Sequence, residues 1–390
     1  MSDRNSSEGG VSRRQTLAAV TGATVSGLAG VPTTVVGDSG REKRITILAS
    51  GDESRETVTV SKRWYRHKEQ AINVKEAMSR QYLGEGSVHS VGIESSDAAV
   101  GDLRGKRVRV AAGPEGDVSA LDAVPSSVEG IPVRTVEEER PEQTDCYTAP
   151  RTNRDKDDEQ DFFGGLAAFG LDSTGQSVNP ATLCCRVFDA NGNTRMLSCR
   201  HMINGDNCDS NDRLDREWGA LGTDGNERSY GGVSEAYQEF DAALLNLTNT
   251  QYYEFLADIV DEPSGRVLGR VTGDGIDYLH GDTDINFIVR KRGRTTCQES
   301  GTTDQVRVDY NVCGITEREQ IISTTDQAQG DSGGPVYIHR DDGSQPDNLY
   351  LLHIATRATG NNGYAQGSSA DVMYRQEDIT FGIEIPYDGE

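Results

Sequence analysis

The segment Gln329-Gly330-Asp331-Ser332-Gly333-Gly334-Pro335 places one serine between glycines. Such a setting suits a tight turn that exposes the hydroxyl and aims backbone N–H groups at one point. Upstream, Met196-Leu197-Ser198-Cys199-Arg200-His201 reads as a strand ending in a histidine. Between them, Glu239-Phe240-Asp241-Ala242-Ala243-Leu244-Leu245 puts an aspartate at the head of a buried-looking strand. A hydroxyl, an imidazole and a carboxylate are the parts of nucleophilic acyl transfer. Ser332 would attack a carbonyl carbon, His201 would take its proton, and Asp241 would orient and stabilise the imidazole. Taken singly, these are a turn, one of 6 histidines and one of 63 acids. The order His201, Asp241, Ser332 with these flanks carries the reading.

Together the three motifs resemble the trypsin-like serine peptidases of the chymotrypsin fold, in their bacterial and archaeal secreted form. Gly-Asp-Ser-Gly-Gly-Pro is similar to that family's nucleophile motif, Leu-Ser-Cys-Arg-His to its strand-end histidine motif, and Asp-Ala-Ala-Leu-Leu to its aspartate motif. Lys291-Arg292-Gly293-Arg294-Thr295-Thr296 resembles a strand of the second barrel. The resemblance spans residues 162–387 and implies two six-stranded antiparallel β-barrels. It implies an oxyanion hole from the N–H groups of Gly330 and Ser332, and a protein or peptide substrate. Asp326 stands where members that cleave after Arg or Lys carry a pocket aspartate; the flanking cysteine is replaced by Ala328. Phe162-Phe163-Gly164-Gly165 resembles the amino terminus that activates animal members by pairing with the acid before the serine. The departure is Cys199-Arg200, where the family has small residues. Nothing in the sequence implies a cofactor or a metal, and a monomer is expected.

Two other classes compete. Gly330 to Gly334 also satisfies Gly-x-Ser-x-Gly, the α/β-hydrolase elbow, but that fold needs a helix after the serine and the order Ser, acid, His. Here residues 336–339 read as a strand. A non-catalytic peptidase-like binding protein is the second rival, since a fold does not by itself imply a function.

The elements that position these residues are short. From Phe162 onward, runs rich in Val, Ile, Leu and Tyr alternate with Gly, Asn and Asp turns, which indicates an all-β sandwich or barrel. Residues 41–140 read as a small α/β unit instead: a first strand at 45–49 or 57–60, a charged amphipathic helix over 62–83, and strands at 87–94 and 106–112. A short helix at 118–124 and a strand at 131–137 complete a β-α-β-β-α-β order, the split ferredoxin-like pattern. Residues 141–161 are nearly devoid of apolar side chains and read as a solvated linker.

Ser12-Arg13-Arg14-Gln15-Thr16-Leu17, followed by small apolar residues to Gly30, reads as a twin-arginine export signal over residues 1–37. The mature chain is therefore expected outside the cell, unanchored, with residues 41–140 as a propeptide or a permanent accessory domain. Seven cysteines suit an oxidising compartment. The Asn191-Gly192 turn favours Cys184–Cys199 with Cys185–Cys208, the reverse pairing remaining open; Cys297 and Cys313 are a further disulfide pair, and Cys146 is left over. A loop of about 15 residues closed this way is worth ~3 kcal/mol in the chain-entropy model. The acid-rich run from Asp206 to Asp212 lacks the spacing of a known calcium loop.

The chain carries 39 basic and 63 acidic residues, a net charge of −24, which argues against nucleic acid as a partner. Residues 161–390 hold 37 acids and 17 bases, net −20, leaving 26 and 22, net −4, in residues 1–160. Of seven lysines only Lys291 lies beyond residue 160. An acid-rich, lysine-poor surface repels itself in dilute buffer and is screened in brine, as expected of a halophile's protein. No apolar stretch is long enough to span a membrane.

Overall fold

In the computed structural model the described residues are 42–113, 119–138, 162–204, 214–221, 227–248, 254–259, 265–281, 288–340, 348–359 and 363–382. The export segment 1–37, the linker 141–161, the run 206–212, Cys146 and Cys208 lie outside them.

One eight-stranded sheet runs, in spatial order, Thr380–Phe381, Arg186–Phe188, Thr194–Cys199, Ala242–Leu245, Glu227–Tyr237, Glu217–Leu221, Ala167–Leu171 and Ser177–Thr182. Its register decides where the chemistry sits. Cys199 pairs antiparallel with Ala242, so the residues that follow the one strand and precede the other emerge at the same end. His201 and Asp241 are those residues. An aromatic cluster fills this sheet's interior, with Phe162 edge-on to Trp218 at 5.0 Å and to Tyr230 at 4.7 Å.

A nine-stranded sheet runs Cys297–Gly301, Val289–Gly293, Pro335–Arg340, Asn348–Ile354, Arg266–Val271, Glu42–Ser50 and Glu53–Ser61, with Phe255–Ile259 and Phe162–Gly164 branching from it. The strand Pro335–Arg340 follows Ser332 directly. A second eight-stranded sheet runs Arg357–Ala358, Tyr364–Ser368, Ile315–Asp326, Thr303–Val312, Val88–Val100, Leu103–Ala112, Ile131–Glu137 and Ser127–Val128. The architecture is thus predominantly β, in several packed sheets.

The α/β elements at the front form as expected, with the helix Lys62–Tyr82 capped by Ser61, whose Oγ accepts the Trp64 N–H at 3.2 Å. Their sheet partners differ from a self-contained ferredoxin-like unit. Two strands precede the helix, and Glu42–Ser50 pairs antiparallel with Arg266–Val271, joining Leu48 to Val271. Val88–Val100 pairs with Thr303–Val312, joining Ile93 to Val306. The reason lies in the buried faces: Ile45, Ile47, Trp64 and Ile93 pack in one cluster with Val271, Ile276, Val306, Val336 and Leu352.

The helix buries Trp64, Lys68, Ala71, Val74, Lys75 and Met78. Two lysines inside an apolar stripe need partners, because an unpaired buried charge is costly. Lys68 pairs with Asp274, and Lys75 with Asp309 at 2.5 Å. Lys106 donates to the Asp277 carbonyl at 2.7 Å, and burial pushes its pKa down to about 8.

Candidate active site

Asp241 closes the turn Gln238–Phe240 in the left-handed conformation, φ +48°, which an aspartate tolerates better than most residues. This turns its carboxylate back over the start of the helix His201–Asn204. Oδ1 accepts the His201 backbone N–H at 3.0 Å and Oδ2 lies 2.7 Å from ring Nδ1. A carboxylate only accepts, so Nδ1 carries the proton and Nε2 is left to act as base. Arg200 N–H also donates to the Asp241 carbonyl at 3.0 Å. Both side chains are buried. Burial opposes ionisation of Asp241, but the His201 ring and the Arg357 guanidinium hold its carboxyl below the usual range.

The Ser332 turn is clamped by Thr182. Its Oγ1 donates to the Gly330 carbonyl at 2.7 Å and its N–H to the Ser332 carbonyl at 2.7 Å. Gly333, at φ +90°, lies so close to the Thr182 carbonyl, Ser198 Oγ and Cys199 N that a Cβ would collide with all three. That contact brings the serine turn against the strand end that carries His201. The oxyanion positions are set by the opposite ends of their peptide planes. Thr295 Oγ1 holds the Gln329 carbonyl, and Gly334 N–H donates to the Asp331 carbonyl at 2.9 Å. In a trans peptide C=O and N–H point oppositely, so both bonds turn the Gly330 and Ser332 N–H groups away from those partners. Ser332 Oγ donates to the Thr356 carbonyl at 3.1 Å, and Cys199 Sγ stands 3.5 Å from His201 Nε2.

Asp331, beside the serine, is the most heavily bonded carboxylate of the site. It accepts from Lys291 Nζ at 2.7 Å, Thr295 N at 2.6 Å, Thr296 N at 3.1 Å, Thr296 Oγ1 at 2.8 Å and Ala328 N at 3.1 Å. Against the effect of burial, Lys291 and these donors keep Asp331 low; burial pulls Lys291 down. Phe162 is a strand residue whose N–H donates to the Glu254 carbonyl at 3.0 Å.

Asp326 ends the strand Ile315–Asp326 opposite Tyr364 and is exposed. The expected disulfides are corrected by the structure. Cys184, Cys185, Cys199 and Cys297 are not disulfide-bonded, whereas Cys313 is. The hairpin register places Leu197, not Cys199, against the cysteine pair: Cys184 N donates to the Leu197 carbonyl at 2.7 Å and Leu197 N to the Cys185 carbonyl at 3.0 Å. Cys184 and Cys185 then face one core and Cys199 another, on opposite sides of the sheet. Neither Cys184–Cys199 nor Cys185–Cys208 forms, and the disulfide at Cys313 is not with Cys297.

The sequence reading missed Thr182, the Lys291–Asp331 pair and Arg357. A signal existed for one of them: a lone lysine in a segment otherwise stripped of lysine is not there for solubility. The helix demanded after the serine by an α/β-hydrolase is absent; Pro335–Arg340 is a strand. Among the described residues no group of histidine, cysteine, aspartate and glutamate is arranged to hold a metal.

No family model and no curated protein matches the chain. Solved structures similar to it include the Nocardiopsis protease NAPase, at 14% identity over 57% of this chain and 100% of that one, with a TM-score of 0.40. Thermobifida fusca protease A is 15% identical over 57% of this chain and 98% of that one, TM-score 0.39. A glutamic acid-specific serine protease described as using a histidine triad in substrate binding is 17% identical over 56% and 99%, TM-score 0.39.

Proposed function

We propose that this protein is a secreted serine endopeptidase that hydrolyses peptide bonds through Ser332, His201 and Asp241. The observation that supports it most is the buried His201–Asp241 pair at 2.7 Å, ring nitrogen to carboxylate, beside a serine turn with both flanking carbonyls clamped by Thr182. On substrate binding the Ser332 hydroxyl leaves the Thr356 carbonyl and gives its proton to His201 Nε2 as Oγ attacks the peptide carbonyl carbon. Asp241 stabilises the imidazolium, and the Gly330 and Ser332 N–H groups receive the developing oxyanion; losing one such donor typically costs about 2.7–4 kcal/mol of barrier. His201 then protonates the leaving amine, and water releases the acyl group by the same steps in reverse.

Labelling with a fluorophosphonate in strong salt tests this reading. Covalent labelling that vanishes in Ser332→Ala is expected. Mature, folded protein that is never labelled at Ser332 leaves the non-catalytic peptidase-like binding protein instead.

The export reading follows from Arg13-Arg14, and the salt requirement from the acid load of residues 161–390. A preference for Arg or Lys before the cut is the role proposed for Asp326. The front segment is read as a propeptide that assists folding. Its strands extend the sheets at Arg266–Val271 and Thr303–Val312, and its Lys68 and Lys75 pair with Asp274 and Asp309. A secreted mass that retains residues 41–140 overturns the propeptide.

A further inference from the structure

The strand Arg357–Ala358 begins next to Thr356, whose carbonyl accepts from Ser332 Oγ. Arg357 is buried beneath the site, and its guanidinium lies between two carboxylates. It makes a two-pronged pair with Glu317, itself fully buried, through both terminal nitrogens. Its Nη2 stands 3.8 Å from Asp241 Oδ2, the oxygen that faces the His201 ring. A guanidinium with a fixed fork holds its partner's geometry as well as its charge.

We propose that Arg357 is a positioning residue for the triad. Held in place by Glu317, it fixes the Asp241 carboxylate and offsets part of its charge, which sets the pH at which His201 accepts a proton. This rests on the triad reading above, and extends it to a pair of residues that never touch substrate. Glu317 on Ile315–Asp326 and Arg357 on Arg357–Ala358 belong to one eight-stranded sheet, two strands apart, while Asp241 precedes Ala242–Leu245 of the other eight-stranded sheet. The ion pair therefore ties one eight-stranded sheet to the strand end of the other that supplies His201.

The other groups packed here are few. Cys199 presents its Sγ to His201 Nε2, the Arg200 backbone N–H holds the Asp241 carbonyl, and the Arg200 side chain is buried next in sequence. Tyr310, from Thr303–Val312, faces Arg357, and burial pushes its phenol up. Arg357 is thus a cation that Asp241 meets besides the imidazole.

The test exploits sign. Glu317→Gln leaves the Arg357 charge unopposed beside Asp241, so imidazolium is disfavoured and the His201 titration moves to lower pH. Arg357→Gln with Glu317→Gln removes the pair as a neutral, hydrogen-bonding replacement, so the carboxylate acts on the ring alone and the titration moves to higher pH. Each displacement should be about half a unit or more, the scale of one nearby charge. The readout is NMR of the His201 ring in the full-length protein in strong salt, which needs no turnover. The acid limb of kcat/KM should move in the same directions, with kcat changing more than KM. Opposite displacements carry the proposal; Arg357→Lys, which keeps the charge, should stay near the parent value. An unmoved titration in both variants, or movement in one common direction, overturns it. Because the ring is read directly, the outcome stands whether or not Ser332 is labelled by fluorophosphonate.

Discussion

Lys291 Nζ lies 2.7 Å from Asp331 Oδ2, with both side chains wholly buried, one residue before the serine. A lysine from the strand Val289–Gly293 thus holds the turn that would carry the oxyanion N–H groups. Removing one partner of a buried pair leaves an uncompensated charge, and typically costs about 3–5 kcal/mol. Lys291→Met is therefore expected to lower the thermal midpoint markedly and to suppress fluorophosphonate labelling. Unchanged labelling of a Lys291→Met protein would show that the turn is held by Thr295 and Thr296 alone.

Gly333 is required by geometry. At φ +90°, with the Thr182 carbonyl and Cys199 N against it, no side chain fits. Gly333→Ala should destabilise by well over ~1 kcal/mol and abolish labelling, because the turn must shift away from His201. Gly175→Ala also has positive φ but meets open space, and should cost only its local strain. Equal losses at the two positions in a denaturant titration would contradict this.

Acidification should weaken the fold before it protonates most carboxylates. Burial pushes the His353 pKa down to about 3, and burial takes His280 well below the usual histidine value. A depressed histidine binds its proton in the unfolded chain first, so its destabilising effect begins below about 6.5 and grows towards the folded value. For His353 such a shift amounts to on the order of a few kcal/mol. His353→Gln should flatten the stability profile between about pH 6.5 and 4; a profile as steep as the parent's would assign the acid loss to other groups. Asp331, held low by Lys291 and its backbone donors, adds a loss only at lower pH, as its carboxylate is protonated.

Trp64 connects the front segment to the strands Arg266–Val271, Thr303–Val312 and Asn348–Ile354. It is fully buried in the cluster that includes Val271, Val306 and Leu352, and its ring N–H donates to the Arg104 carbonyl at 3.1 Å. In the unprocessed chain Trp64→Ala is expected to cost about 3–5 kcal/mol and to reduce the yield of labelled protein. Two separate unfolding transitions, with only the earlier one displaced, would instead mean that the segments fold independently.

The preference proposed for Asp326, which is exposed and within electrostatic reach of Lys291, is open to a direct test. Peptides with Arg or Lys before the cut should be cleaved better than those with Phe or Glu, and Asp326→Asn should erase most of that difference. No difference in the parent enzyme removes Asp326 as the determinant.

Much of the site was legible because it is carried by local signals. Gly-Asp-Ser-Gly-Gly-Pro needs a turn wherever it occurs, and the apolar runs before His201 and after Asp241 need a sheet. The cysteines misled for a physical reason. Cys184 and Cys185 precede the strand Arg186–Phe188 and both join one core, and the Asn191-Gly192 turn alone does not say that Leu197, not Cys199, lies against them. The amphipathic helix Lys62–Tyr82 was readable, but not the identity of the acids that its buried Lys68 and Lys75 would meet.

The order of residues along the chain is enough for the inventory: a serine turn, a histidine and an aspartate in order, an acid-rich chain with its lysines at the front, and β-rich segments punctuated by glycine. Tertiary structure alone decided the partnerships. Lys291 finds Asp331 across 40 residues, Arg357 finds Asp241 and Glu317, and the front strands join sheets more than 200 residues away. Local sequence sets turns and periodicity, since those depend on near neighbours. Which buried charge meets which is set by how the sheets close, because a desolvated charge is stable only beside the partner that packing delivers.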